Sequence, residues 1–138
     1  HVLPVVKEIV ARVQADSGKP VIYFANGGSN LLRAASEVHA DAWGVDWTLP
    51  LSQAAERLGP GAVVQGNLDP SMLFASREEL GIGIDLVLSE GLAAKSHIFN
   101  LGHGIHRTTD PSQVAFLIDR VHASSERLYA AELSDADQ

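Results

Sequence analysis

Apolar side chains recur along this chain in two alternating patterns. Five segments show helical spacing, and four short runs have the composition of strands. The run 21–25 is continuously apolar, which is typical of a strand covered on both faces. The helical segments are 2–15, 31–38, 51–58, 76–91 and a last one that begins near 110. The strand-like runs are 21–25, 42–47, 62–66 and 97–101. The sequence therefore predicts one helix followed by four strand–helix units.

Two of the predicted helices carry start signals. Ser76 is followed three residues later by Glu79, the spacing of a capping box. Asp110, Pro111 and Gln113 have the residue types of an N-cap, a first turn and a capping partner. These signals predict helices that begin just after Ser76 and Asp110.

The alternation of strands and helices with short connections predicts a parallel sheet covered by helices. Two architectures satisfy this pattern, an open doubly wound sheet and half of a (β/α)8 barrel. A whole barrel needs about 250 residues, so a chain of 138 residues could supply only one half. The chain begins with His1 rather than Met, which we interpret as a piece of a longer protein.

Composition narrows the possible functions. An apolar fraction of 46% with 20% charged residues is typical of a globular protein. The formal net charge of −7 argues against a nucleic-acid partner, which needs a basic surface. The absence of cysteine excludes disulfides and thiolate metal sites and fits a reducing cytosol. No apolar run approaches the ~20 residues of a membrane span.

Polar residues and glycines recur where the four predicted strands end. The four segments are ANGGS (25–29), DWT (46–48), QGNLDP (65–70) and NLGHG (100–104). In parallel α/β folds, chemistry is located at the carboxyl ends of the strands. Glycines there let backbone groups approach a ligand closely. We therefore expect the four segments to contribute to one site.

Three histidines near the last strand raise the question of a metal. His97 and His103 would lie roughly 20 Å apart across an extended strand, so they could not share an ion. His103 with His106 would offer only two imidazoles on a loop, which is a poor site. We expect no metal here, and a structural or surface role for His97. Asp46, at the end of an apolar run, is expected to cap nearby backbone amides.

Three segments of the chain, taken together, resemble one family. GVDW (44–47), QGNLDP (65–70) and FNLGHGI (99–105) are similar, in words, order and spacing, to the C-terminal half of the uroporphyrinogen decarboxylase family. The similarity extends over essentially residues 2–130. It implies a (β/α)8 barrel, of which residues 1–138 form the C-terminal half-barrel of a single domain.

The resemblance also implies an activity. Members of the family are carboxy-lyases of porphyrin and heme biosynthesis that use no cofactor and no metal. They remove the four acetate carboxyls of uroporphyrinogen III to give coproporphyrinogen III, usually as cytoplasmic homodimers. The family's LGHG histidine contacts a substrate carboxylate, and His103 matches it, with glycines on both sides that would leave the imidazole uncovered. Further candidate substrate contacts at the strand ends are Asn26, Gly27, Gly28, Gln65, Asn67, Asn100, Gly102 and Gly104.

The chain differs from the family pattern in two ways. The family's N-terminal half carries substrate-binding arginines, an aspartate and a tyrosine that have no counterpart here. Residues 105–109 read IHRTT where the family usually has a proline-containing turn. Two alternative functions are a corrinoid methyltransferase of the same superfamily and a non-catalytic half-barrel that binds a tetrapyrrole or a partner. The methyltransferases bind zinc through His and Cys, so the absence of cysteine counts against the first alternative.

Overall fold

A computed structural model describes residues 2–136, with side chains described up to Leu128. Its elements follow the predicted order of one helix and four strand–helix units. The helices are α1 (Leu3–Ser17), α2 (Leu32–Ala35), α3 (Leu51–Leu58), α4 (Arg77–Gly91) and α5 (Pro111–Ala136). The strands are β1 (Ile22–Phe24), β2 (Ala42–Gly44), β3 (Val63–Leu68) and β4 (Ser96–Leu101). None of these helices is both long and apolar enough to cross a membrane.

The four strands form one parallel sheet in the order β1-β2-β3-β4. Each strand pairs with its neighbour in the chain, and β3 pairs with β4 along its whole length. A doubly wound sheet reverses its strand order at a switch point, and the described strands contain no such reversal. The prediction of half a (β/α)8 barrel is therefore confirmed.

The main core lies between the helices and one face of this sheet. Its large, fully buried side chains include Leu51, Val64, Leu73, Leu80 and Ile84. A second, smaller cluster packs α1 against the segment before β2 and consists of Val10, Val38 and Ala40 with their neighbours. Each helix thus buries its apolar stripe against the same side of the sheet.

The opposite face of the sheet, which would line the barrel, is largely uncovered. The prediction that β1 is covered on both faces is wrong, because Ile22 is 46% and Phe24 is 44% exposed. Ile98 of β4 is also exposed on this face. The physical reason is that the described helices all lie on the other side of the sheet. We call the uncovered side the inner face.

The helix start signals are confirmed in part. Ser76 Oγ accepts from the N–H of Glu79 (3.2 Å), and Glu79 Oε2 accepts from the N–H of Ser76 (3.0 Å), which completes the capping box. Asp110 Oδ1 accepts from the N–H of Ser112 at 2.8 Å. The capping role predicted for Gln113 is wrong, because its amide donates to the carbonyl of Ala75 (2.9 Å) and joins α5 to the turn before α4.

The helix predicted over 31–38 is much shorter than expected. Only Leu32–Ala35 is α-helical, and 3₁₀ turns flank it at Ser29–Leu31 and Ser36–Val38. The Ser36 hydroxyl donates to the carbonyl of Arg33 (2.8 Å), a local hydrogen bond of the kind that competes with continued α-helix.

We expect residues 1–138, produced alone, to associate in solution. Two unpaired strand edges, β1 and β4, and the apolar inner face favour contact between copies. Size-exclusion chromatography with light scattering should show oligomers or aggregates, and Ile98→Lys, which puts a charge on the inner face, should reduce them. A stable monomer at micromolar concentration would contradict this expectation.

Candidate active site

A cavity of about 360 Å³ opens on the inner face, where the strands end. Five of the residues predicted for the site line it together, namely Gln65, Asn100, Gly102, His103 and Gly104. The remaining lining residues are Phe24, Gly44, Val45, Leu101 and Ile105. The structure thus brings together the predicted residues of β3 and of the loop after β4.

The floor of this cavity is a row of residues in register across the sheet. Phe24 pairs with Gly44, Gly44 with Gln65, and Gln65 with Ile98. A β-carbon at Gly44 would lie 2.8 Å from the Phe24 ring, so the ring occupies the space that a side chain would fill. The cavity floor therefore carries the Phe24 ring and the Gln65 amide, with Gly44 between them.

His103 is exposed at the rim of the cavity. Its ring meets the Trp47 ring edge to face, with centroids 6.0 Å apart and an angle of 89° between the planes. Among the described residues, the histidine side chains that form hydrogen bonds are His97 and His106. The imidazole of His103 is therefore free to bind a ligand.

Gly102 is required by the close approach of two loops. A β-carbon at this position would lie 2.5 Å from the backbone nitrogen of Trp47 and 3.1 Å from the carbonyl carbon of Asp46. The N–H of Gly102 donates to the carbonyl of Leu68 at 2.8 Å. We expected Gly102 to leave the imidazole uncovered, but its close packing against Trp47 and Asp46 is what requires glycine here. Gly104 does face open space.

Asn67, which was predicted as a substrate contact, is not among the residues that line the cavity. Its side chain is buried, with 7% exposure. The amide nitrogen donates to the carbonyls of Asp46 (2.9 Å) and Leu49 (2.6 Å). Asn67 therefore fixes the loop after β2, which carries Trp47, to the end of β3.

The buried carboxylate of Asp46 stabilises the same loop through hydrogen bonds. It is 2% exposed, and its Oδ1 accepts from the Ser29 hydroxyl (2.7 Å) and from the N–H and hydroxyl of Thr48. Burial opposes the charged form, but the hydrogen bonds from Thr48 and Ser29 outweigh it, so the pKa of Asp46 lies below its ordinary value. The predicted capping of a backbone amide is confirmed.

The loop after β1 does not reach the cavity. Asn26 and Gly27 are exposed to solvent. Gly28 lines a separate, mainly apolar cavity of about 160 Å³ beside Tyr23 and Leu32. The structure therefore does not bring these three predicted residues to His103, and their connection to the site runs through the hydrogen bond from Ser29 to Asp46.

The other two histidines of this region have separate positions. His97 is half-buried on the helix side of the sheet, with Nε2 2.6 Å from the carbonyl oxygen of Gly66. Burial lowers the pKa of His97, and the hydrogen bond with Gly66 opposes this only in part. His106 is exposed and lies against Thr108 and Phe74. No group of three His, Asp or Glu side chains among the described residues could hold a metal ion.

Three residues that shape this site were not named as individual candidates from the sequence, although Trp47 lies in the segment DWT (46–48) that was expected to contribute to it. Trp47 is the aromatic neighbour of His103, and Phe24 and Gly44 form part of the cavity floor. The alternation of side chains along a strand could have found Phe24 and Gly44, because they share a face with Gln65. The contact between Trp47 and His103 joins distant loops and has no local signal.

Comparison with known proteins identifies relatives along most of the chain. The model of the family described as uroporphyrinogen decarboxylase (URO-D) matches residues 1–124. The chain is 43% identical over 126 residues to the uroporphyrinogen decarboxylase of Streptomyces coelicolor, covering 91% of this chain and 35% of the relative. It is 48% identical over 126 residues to that of Saccharopolyspora erythraea, covering 87% and 35%. It is 42% identical over 123 residues to that of Desulfotalea psychrophila, covering 89% and 36%. The chain thus spans about a third of the length of these relatives.

We expect Asn67→Asp to destabilise a full-length protein that carries this chain. Such a protein can be made by replacing the matching segment of the Streptomyces coelicolor relative with residues 1–138, and we call it the chimaera. The aspartate cannot donate to the carbonyls of Asp46 and Leu49, and each unpaired buried group costs about 1–3 kcal/mol. A melting temperature lower by several degrees is expected.

The matched control is Asn100→Asp on the neighbouring strand. Asn100 pairs in register with Asn67, but its side chain is exposed and uses its oxygen to accept from Leu101. That variant keeps the acceptor and should melt within about a degree of the parent, since exposed substitutions rarely exceed about 0.5 kcal/mol. Equal melting temperatures for all three proteins would contradict the role of Asn67.

Proposed function

The chain belongs to the uroporphyrinogen decarboxylase family, and we propose on that basis that the full-length protein carrying it converts uroporphyrinogen III to coproporphyrinogen III. This chain then forms the C-terminal half-barrel of a single (β/α)8 domain and is active only as part of the intact protein. The observation that carries the proposal is His103, exposed and without a hydrogen-bond partner among the described residues, on a cavity at the carboxyl edge of the sheet.

His103 is suited to contact a substrate carboxylate. Uroporphyrinogen carries many carboxylates, and no Lys or Arg is present among the residues that line the cavity. His103 is a lining residue whose ring N–H can donate a hydrogen bond to a carboxylate. A charge-assisted hydrogen bond from its ring to a carboxylate would be shorter and stronger than a neutral one. We expect further cations to come from the part of the full-length protein outside this chain.

Two amides beside His103 are the next candidates for substrate contact. Asn100 uses its oxygen to accept from Leu101, which leaves its amide N–H groups to donate. Gln65 lies on the cavity floor between Gly44 and Ile98. We propose that both donate hydrogen bonds to substrate carboxylates. Gly102 contributes shape alone, because its N–H already donates to the carbonyl of Leu68.

The decarboxylase is favoured over the two alternative functions. The zinc site of a corrinoid methyltransferase lacks its cysteine ligands in this chain, and the family match names a decarboxylase. A non-catalytic half-barrel that binds a tetrapyrrole would use the same imidazole, so formation of coproporphyrinogen is the measurement that separates it from the decarboxylase. The absence of a cofactor, the homodimeric state and the cytoplasmic location that the family resemblance implies are part of the same proposal.

We expect His103→Ala in the chimaera to reduce activity and leave the fold intact. The lost charge-assisted hydrogen bond is worth about 1.5–3 kcal/mol, which corresponds to a ten- to hundredfold lower kcat/KM. Because the side chain is exposed, the melting temperature should change by less than about two degrees. Coproporphyrinogen formation and thermal unfolding are the measurements.

His106→Ala is the matched control, since His106 is an exposed histidine of the same loop that does not line the cavity. It should retain parental activity. Exhaustive chelation should also leave the parent active, whereas chelator-sensitive turnover would support the zinc-dependent alternative. A large fall in melting temperature with activity retained in His103→Ala would make His103 a structural residue and contradict the proposal.

A further inference from the structure

We propose that Trp47 is a positioning residue, whose ring holds the imidazole of His103 in the orientation that receives the substrate carboxylate. The inference rests on the proposed function of His103 and extends it to a second residue. Trp47 is not among the residues that line the cavity. Its ring meets the His103 ring edge to face at 6.0 Å, so any effect on the substrate would pass through the imidazole.

The imidazole needs support from a neighbouring side chain. His103 lies between two glycines, is exposed, and among the described residues its side chain forms no hydrogen bond. An exposed side chain without a partner samples several rotamers within picoseconds to nanoseconds. The aromatic contact with Trp47 is the one directional interaction of this ring in the part of the chain that the structure describes. Edge-to-face geometry is one of the two arrangements that aromatic rings prefer.

Hydrogen bonds fix the backbone on both sides of Trp47. The carbonyl of the preceding Asp46 accepts from the buried amide of Asn67, and the carbonyl of Leu49 accepts from the same amide. The N–H and hydroxyl of Thr48 donate to the Asp46 carboxylate, which is also bonded to Ser29. The backbone around Trp47 is therefore fixed to β3 and to the loop after β1, although 42% of the residue is exposed.

The two loops also touch through their backbones. A β-carbon at Gly102 would come within 2.5 Å of the Trp47 nitrogen and 3.0 Å of the Trp47 β-carbon. This approach sets the position of the backbone next to His103 relative to Trp47. The contact of the two rings follows from this fixed spacing. A loop fixed by hydrogen bonds thus supports the His103 side chain, which forms no hydrogen bond within the described part of the chain.

A double-mutant cycle in the chimaera tests the proposal. Trp47→Leu removes the ring and keeps apolar bulk, and Trp47→Phe restores a ring. We expect Trp47→Leu to lower kcat/KM roughly three- to tenfold, in the magnitude range of one aromatic pair. The loss should appear in the same parameter, kcat or KM, that His103→Ala changes. Trp47→Phe should recover most of the activity.

The decisive arm combines Trp47→Leu with His103→Ala. If Trp47 acts through the imidazole, the double variant should be as active as His103→Ala alone, within about twofold. Independent losses that multiply would overturn the positioning role, and so would full activity in Trp47→Leu. General damage to the fold also gives multiplied losses and would lower the melting temperature of both Trp47 variants.

NMR distinguishes a failure of the positioning role of Trp47 from a failure of the proposed function of His103. The ring protons of His103 lie beside the indole, so their NMR shifts should move in Trp47→Leu whether or not the protein is catalytically active. If His103→Ala retains full activity, the proposed function of His103 fails, and with it the role of Trp47 in the reaction. If His103→Ala loses activity but the His103 shifts do not respond to Trp47→Leu, only the positioning proposal fails.

Discussion

The candidate site depends on one buried side chain, the carboxamide of Asn67. Its two hydrogen bonds join the end of β3 to both ends of the loop 46–49. Without this amide, the carbonyls of Asp46 and Leu49 would lose their partner in a buried environment, which proteins rarely tolerate. The same contact fixes Trp47 and, through Gly102, the backbone beside His103. The buried amide of Asn67 thus helps to set the position of the backbone that carries His103.

Close approach between strand ends makes this arrangement possible. Gly66, just before Asn67, has φ of +141°, and a β-carbon there would lie 2.5 Å from the carbonyl oxygen of Val45. The N–H of Val45 in turn donates to the carbonyl of Gln65 at 2.8 Å. Only glycine fits such a position without strain. The segment QGN is therefore constrained by packing between β2 and β3, in addition to any contact that Gln65 makes with substrate.

Much of the fold could be predicted from the sequence, because it follows from local periodicity and end signals. The parallel pairing, the capping box at Ser76 and the position of β4 before the LGHG segment all follow from short stretches of sequence. The Gln113 bond to Ala75 could not be predicted this way, since it joins residues 38 apart. The position of the loop at Asn26 could not be predicted from local sequence either. We expected this loop to lie near the other strand ends, but the side chain of Asn26 is outside the cavity.

Contact between His103 and a substrate carboxylate can be tested by the NMR spectrum of ¹⁵N-labelled histidine rings in the chimaera. Uroporphyrin III, which retains the carboxylates of the substrate, serves as the ligand, and the His103→Gln variant assigns the His103 signals. The ring nitrogen signals of His103 should shift when the ligand saturates the protein. Those of His97, which bonds Gly66 on the other side of the sheet, should stay in place. Binding of the ligand with unchanged His103 signals would show that His103 does not contact a carboxylate of the substrate.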